Sequence, residues 1–269
     1  MDQKNAPARK PAKLTPIDAT VTKAQIEEYR KYAREKLGAE FKDIGLLITA
    51  FTHRSYVNEH RKIKIEHNER LEFLGDAILE MVVTDYIYRN FHQNEGVMTS
   101  WRSALVRTEA NAAAGEELGY ESLIRLSHGE RDGLVARAHL TIMADCYEAV
   151  IGALYIDQGY EFASNFIKEH TLSKLKGILQ DESWRDPKSH FQELVQHFDG
   201  GAVPHYHTLR VEGPDHNREY TVALFVGDHK VGEATGNSKQ QAQVELAKRG
   251  VEMYRLAGKT LPIIDMDNL

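Results

Sequence analysis

Between Ala24 and Gly177 the apolar positions return at intervals of three and four, as in Leu71, Leu74, Ile78 and Val82, or Ile142, Cys146, Ala149 and Ala153. That spacing keeps one face of a helix apolar. The prolines fall at 7, 11, 16, 187, 204, 214 and 262, so the residue type that breaks helix interiors is missing from the whole stretch. The pattern predicts a bundle of several helices. After Glu182-Ser183-Trp184-Arg185-Asp186-Pro187 the period changes. A helix is expected from His190 to Phe198, followed by strands through Tyr206–Val211, Tyr220–Val226 and His229–Ala234, then a helix from Ser238 to about Tyr254. In the middle strand Tyr220, Val222, Leu224 and Val226 alternate with Thr221, Ala223 and Phe225, the period of two of an extended chain. The expected fold class is α+β overall: an all-α helical domain followed by a small α-β-β-β-α domain. The expected boundaries are a flexible basic tail at 1–20, the helical domain at 21–180, a linker at 181–186, the second domain at 187–257 and a tail at 258–269.

Composition narrows the class. The chain has 269 residues, 34 basic against 40 acidic side chains, and 42% hydrophobic residues, a balance that excludes disorder throughout. Its one cysteine, Cys146, excludes an internal disulfide, so a reducing cytoplasm is the expected location. No apolar run reaches the roughly 18 residues of a membrane span, and neither export nor membrane insertion is expected. The net charge of -6 argues against nucleic-acid binding through bulk charge, leaving only locally placed basic groups.

The chemistry concentrates in two helices. Glu69, Glu72 and Asp76 are spaced three and four apart and project from one face, beside an apolar stripe. Asp145 and Glu148 repeat the spacing in a second apolar helix. Such a cluster raises its own pKa values unless cations neutralise it, and Arg70 points elsewhere on the helix. If the two helices pack, the converging oxygens suit Mg2+ or Mn2+ rather than zinc. Two such ions about 4 Å apart can activate water for phosphodiester cleavage. The plainer reading makes these acids solvated faces or helix-pairing charges. His67 reads as a capping or surface residue, and Cys146 as a small core hydrophobe.

The run Asn68-Glu69-Arg70-Leu71-Glu72-Phe73-Leu74-Gly75-Asp76 closely resembles the signature of the ribonuclease III family. Thr52-His53-Arg54-Ser55-Tyr56, Glu95-Gly96, Leu105-Val106-Arg107 and Ala144-Asp145-Cys146-Tyr147-Glu148-Ala149-Val150-Ile151-Gly152-Ala153 follow the family's order. The resemblance implies that the helical domain is an endonuclease domain. It assigns Glu72, Asp76, Asp145 and Glu148 as magnesium ligands, with Asp76 and Glu148 catalytic. It places Glu69 and Glu95 nearer RNA contact and cleft organisation, and Phe73 in a homodimer interface. It further implies cleavage of double-stranded RNA to 5′-phosphate products with short 3′ overhangs, in processing of structured transcripts such as ribosomal RNA precursors and messengers.

The second domain resembles a double-stranded RNA-binding domain. Gln192 and Glu193 match minor-groove positions on its first helix, His216 lies in the loop Gly213-Pro214-Asp215-His216, and Ser238 and Lys239 open the last helix. Amides, imidazole and a lysine can meet 2′-hydroxyls and phosphates across A-form grooves. Where family members carry further lysines this chain has Gln240, Gln241 and Gln243, and residues 186–257 hold ten acidic against eight basic side chains. A shallow salt dependence of binding is therefore expected. A catalytically silent RNA-binding protein and a metal-dependent pyrophosphohydrolase are the rival classes.

Overall fold

The structure, a computed structural model, describes residues 14–132, 135–214 and 218–261 and divides between Gln180 and Asp181 into two compact units. The first unit is helical: α1 (Lys23–Lys36), α2 (Ile44–Ala50), α3 (Arg54–Glu59), α4 (Glu69–Asn90), α5 (Glu95–Val106), α6 (Thr108–Glu117), α7 (His128–Asp132), α8 (Ala136–Gln158), α9 (Tyr160–His170) and α10 (Leu175–Gln180). Their starts follow local chemistry. Thr22 and Gln25 cap α1 reciprocally, Asp43 caps α2 through the Gly45 amide, and Asn94 caps α5 through the Val97 amide. Helix α8 is the centre of the core, with Met143, Tyr147, Ile151 and Leu154 fully buried and with α2, α4, α6 and α9 packed around it. Phe51 meets Tyr120 edge-on at 4.9 Å between centroids, adding an aromatic layer. None of the helices among the described residues is long and apolar enough to cross a membrane.

Residues 1–13 of the expected tail lie outside the described residues, but residues 15–20 are anchored rather than loose. The Thr15 amide donates to Asp43 Oδ2 at 2.6 Å. Arg125 Nη2 reaches Asp18 at 3.0 Å and Thr20 Oγ1 at 2.7 Å, with its guanidinium over the Tyr56 ring. Both ends of this ion pair are largely withdrawn from water, at 12% and 5% side-chain exposure. The cause is a partner more than a hundred residues away.

The second unit runs α11 (Pro187–Phe198), β1 (Pro204–Glu212), β2 (Glu219–Val226), β3 (His229–Gly236) and α12 (Lys239–Leu256). The strands form one antiparallel sheet in the order β1-β2-β3. Asp186 caps α11 with Pro187 in the first turn, and Gly227, at φ 55°, supplies the backbone for the tight turn between β2 and β3. The core joins Phe191, Leu194 and Val195 of α11 to Val222 and Leu224 of β2 and Leu246, Ala247 and Tyr254 of α12. The expected linker is packed here too. Arg185 donates to Glu193 at 2.8 Å, pairs with Glu182 at 3.1 Å and covers the Trp184 ring, fastening 182–185 to α11. Residues 262–269 of the expected C-terminal tail lie outside the described residues.

Candidate active site

Helices α4 and α8 approach backbone to backbone at two glycines, Gly75 and Gly152. A Cβ on Gly75 would come within 1.7 Å of the Glu148 carbonyl oxygen, and one on Gly152 within 2.3 Å of the Leu71 carbonyl oxygen. Only glycine permits such an approach. The start of α4 is tied to the same place, since the amide of buried Asn68 donates to Cys146 Sγ at 3.8 Å. Cys146 is itself buried and free, and burial holds its thiol well above the usual range.

This crossing sets Glu72 and Asp76 of α4 against Asp145 and Glu148 of α8. Burial and the negative charges of Asp145, Glu69 and Asp76 push Glu72 up to about 7. Burial, then Glu69, pushes Asp145 up to about 6. Burial and the charge of Asp76 push Glu148 up to about 8, against a lowering hydrogen bond from Asn111 and with smaller contributions from Asp145 and Glu72. Glu72 and Glu148 thus feel acids of both helices, Asp145 feels Glu69, and no cation figures among the causes for these three. The donor set, oxygen only and electrically uncompensated, fits a hard divalent ion. Among the described residues no three acidic, imidazole or thiol groups stand close enough to hold an ion as placed. Glu148 Oε1 is taken by the Asn111 amide at 2.8 Å.

The other sequence candidates divide. Glu69 is met by Arg54 at 3.2 Å and by His67 at 3.7 Å, so its neutralising partner comes from α3, not from Arg70. Glu95 is not brought to the four acids: it accepts from Thr99 Oγ1 at 3.1 Å and lies beside Thr84, Tyr88 and Arg102. Thr84 is two turns beyond Asp76, about 12 Å along α4. Phe73 is 81% exposed although it adjoins Glu72, and Met81 and Tyr88 of the same helix are exposed with it. The three fall within an arc of about 80° on α4. Asn111 and the two glycines carry no spacing signal of their own, and sequence reasoning passed over their roles.

In the second unit Gln192 and Glu193 lie on the exposed side of α11 and Ser238 and Lys239 are exposed at the start of α12. The Ser238 hydroxyl accepts from the Gln241 amide at 3.1 Å, and the Glu193 carboxylate is engaged by Arg185. Lys188 Nζ joins the two helices through Gln243 Oε1 at 2.8 Å. His216 lies outside the described residues.

Residues 43–175 match the family model described as Ribonuclease-III-like, and residues 187–253 match the Double-stranded RNA binding motif. The protein named Ribonuclease 3 of Latilactobacillus sakei subsp. sakei (strain 23K) is 38% identical over 225 residues, covering 82% of this chain and 96% of that protein. Ribonuclease 3 of Bacillus cereus (strain G9842) is 40% identical over 227 residues, covering 84% and 91%. The solved nuclease domain of ribonuclease III from Campylobacter jejuni aligns at 35% identity with a TM-score of 0.47, covering 52% of this chain and 96% of that one.

Proposed function

The chain belongs to the ribonuclease III family, and from that premise we propose that it is an endoribonuclease that hydrolyses double-stranded RNA in the cytoplasm with Mg2+, for which Mn2+ can substitute. The observation that carries this reading is the close approach of α4 and α8 at Gly75 and Gly152, beside which the carboxylates of Glu72, Asp145 and Glu148 are raised by burial and by neighbouring acids. Glu72, Asp76, Asp145 and Glu148 would hold the metal, which when bound lowers the pKa of water and stabilises the leaving oxygen of a phosphodiester.

The chain's own residues do the rest. Arg54 pairs with Glu69 at the edge of the cluster, although the Glu69 charge still reaches Glu72 and Asp145. Burial makes Glu148 and Glu72 strong bases for their type, ready to exchange protons for a cation near neutral pH. The exposed stripe of Phe73, Met81 and Tyr88 is the surface that would meet a second copy, which makes the enzyme a homodimer cutting one strand per protomer. Glu95, remote from the four acids in its own protomer, has its role in RNA contact. Gln192, Glu193, His216 and Lys239 would contact the duplex, while Ser238 holds the α12 N-terminus in shape for phosphate. The substrates are structured precursors, ribosomal and messenger.

Incubation with a perfect RNA duplex tests this reading. Cleavage to duplex fragments with 5′-phosphates and short 3′ overhangs, only when Mg2+ is present, is the expected result. Intact duplex with and without Mg2+, with binding preserved, would leave a silent RNA-binding protein.

A further inference from the structure

Asn111 is a buried polar residue in an alanine-rich stretch of α6, followed by the buried Ala112 and Ala114 and only 1% exposed. Its Nδ2 donates twice, to the Val106 carbonyl at 3.1 Å and to Glu148 Oε1 at 2.8 Å. The first partner closes the end of α5, whose last carbonyls lack intrahelical donors. Because that carbonyl can only accept, the amide nitrogen must face it, and the same group then faces the carboxylate. The amide oxygen is buried and finds no hydrogen-bond partner among the described residues. Leaving that oxygen without a partner in the core works against folding, a cost set against the two hydrogen bonds that the nitrogen makes. A buried amide that leaves its own oxygen unpartnered while it fastens a carboxylate of the candidate site points to a role in that site.

We infer that Asn111 is a positioning residue that presets Glu148 for the metal, an inference that rests on the function proposed above. The amide suits this work because it is uncharged. Lysine or arginine in its place would fix the carboxylate equally well, but would neutralise it and repel an incoming cation. One Glu148 oxygen is held, which stops rotation about its terminal bond, and the clamp runs to the backbone of α5 rather than to another mobile side chain.

The test is a set of melting curves of the full-length, RNA-free protein titrated with Mg2+ alone, and separately with Mn2+, for wild type, Asn111→Leu, Glu148→Gln and the double variant. In Asn111→Leu the half-stabilising metal concentration should rise about tenfold, the lower end of what loss of a ligand's partner costs. In the Glu148→Gln background the same substitution should change nothing further. Duplex cleavage by Asn111→Leu should fall at limiting Mg2+ and recover at high Mg2+, a rescue that general damage to the fold would not show. Asn111→Ser serves if the leucine does not fold. An unchanged metal midpoint in Asn111→Leu, or an effect that adds in full to that of Glu148→Gln, would overturn the inference while leaving the proposed function intact. An unchanged midpoint in Glu148→Gln would remove Glu148 as a ligand, and the inference with it.

Discussion

Gly75 and Glu148 touch through their backbones: a methyl group on the Gly75 Cα would come within 1.7 Å of the Glu148 carbonyl oxygen. The contact sits between the acids it serves, because Glu72 and Asp76 flank Gly75 and Glu148 is its other half. A side chain at this point would separate α4 from α8 and carry the two acidic pairs apart.

Gly75→Ala should therefore destabilise the helical unit by at least about 3 kcal/mol, the upper end of overpacking costs, since the obstacle is backbone and cannot rotate away. At about 2–4 °C per kcal/mol the melting midpoint should fall by roughly 6–12 °C. Cleavage should fall further than the folded fraction explains. A variant that melts within a degree of wild type would contradict the crossing described here.

The raised carboxylates give a pH dependence whose sign is set. Glu72, Asp145 and Glu148 lie at about 7, 6 and 8 when folded, above their unfolded values, so the folded protein binds more protons than the unfolded chain. Their contribution to stability is complete below the unfolded values and is lost as pH rises through the folded ones. Burial lowers His53, His170 and His190; these act in the opposite direction, but only below about pH 6.5. Between pH 7 and about 9 the metal-free melting midpoint should fall, and Glu148→Gln should flatten the fall. Added Mg2+ should stabilise more strongly as pH rises, because it takes the place of protons. A metal-free midpoint that rises across this window would contradict the carboxylate cluster.

Deleting residues 181–269 should leave an active nuclease with weaker duplex affinity, most visibly at physiological salt. Residues 186–257 hold more acidic than basic side chains and the Ser238 hydroxyl is committed to capping, so the module's share of the salt slope should match only two or three phosphates. Affinity measured against salt for both proteins checks this. Identical curves would show that the module does not touch the substrate.

The elements and acids that are periodic in sequence were readable from it. Glu72, Asp76, Asp145 and Glu148 stand at helical spacing, and the α-β-β-β-α order follows from changes in hydrophobic period and from Pro187, Gly213-Pro214 and Ser238 at the turns. What escaped depends on contacts between distant residues. Arg125 anchors Asp18 from across the chain, Arg54 answers Glu69 from another helix, and Arg185 turns an apparent linker into part of the second unit. The sheet shows the same limit: shifts of register between Thr208 and Arg210 and after Leu224 interrupt the expected alternation, and Ala223 is buried along with Val222 and Leu224. Asn111 is the clearest case, because a lone amide among alanines has no periodicity to mark it.

The central claim is that the acids at the α4–α8 crossing perform metal-dependent hydrolysis of duplex RNA. Glu148→Gln isolates it, since the substitution keeps size and a hydrogen-bonding group while removing the charge, and it relieves repulsion among the acids. The measurement is duplex cleavage at ordinary Mg2+ concentration by the folded variant, with duplex binding followed in parallel. The account predicts binding close to wild type and a loss of cleavage of at least a thousandfold, about 4 kcal/mol of barrier. Near-normal turnover by a well-folded Glu148→Gln protein would contradict it.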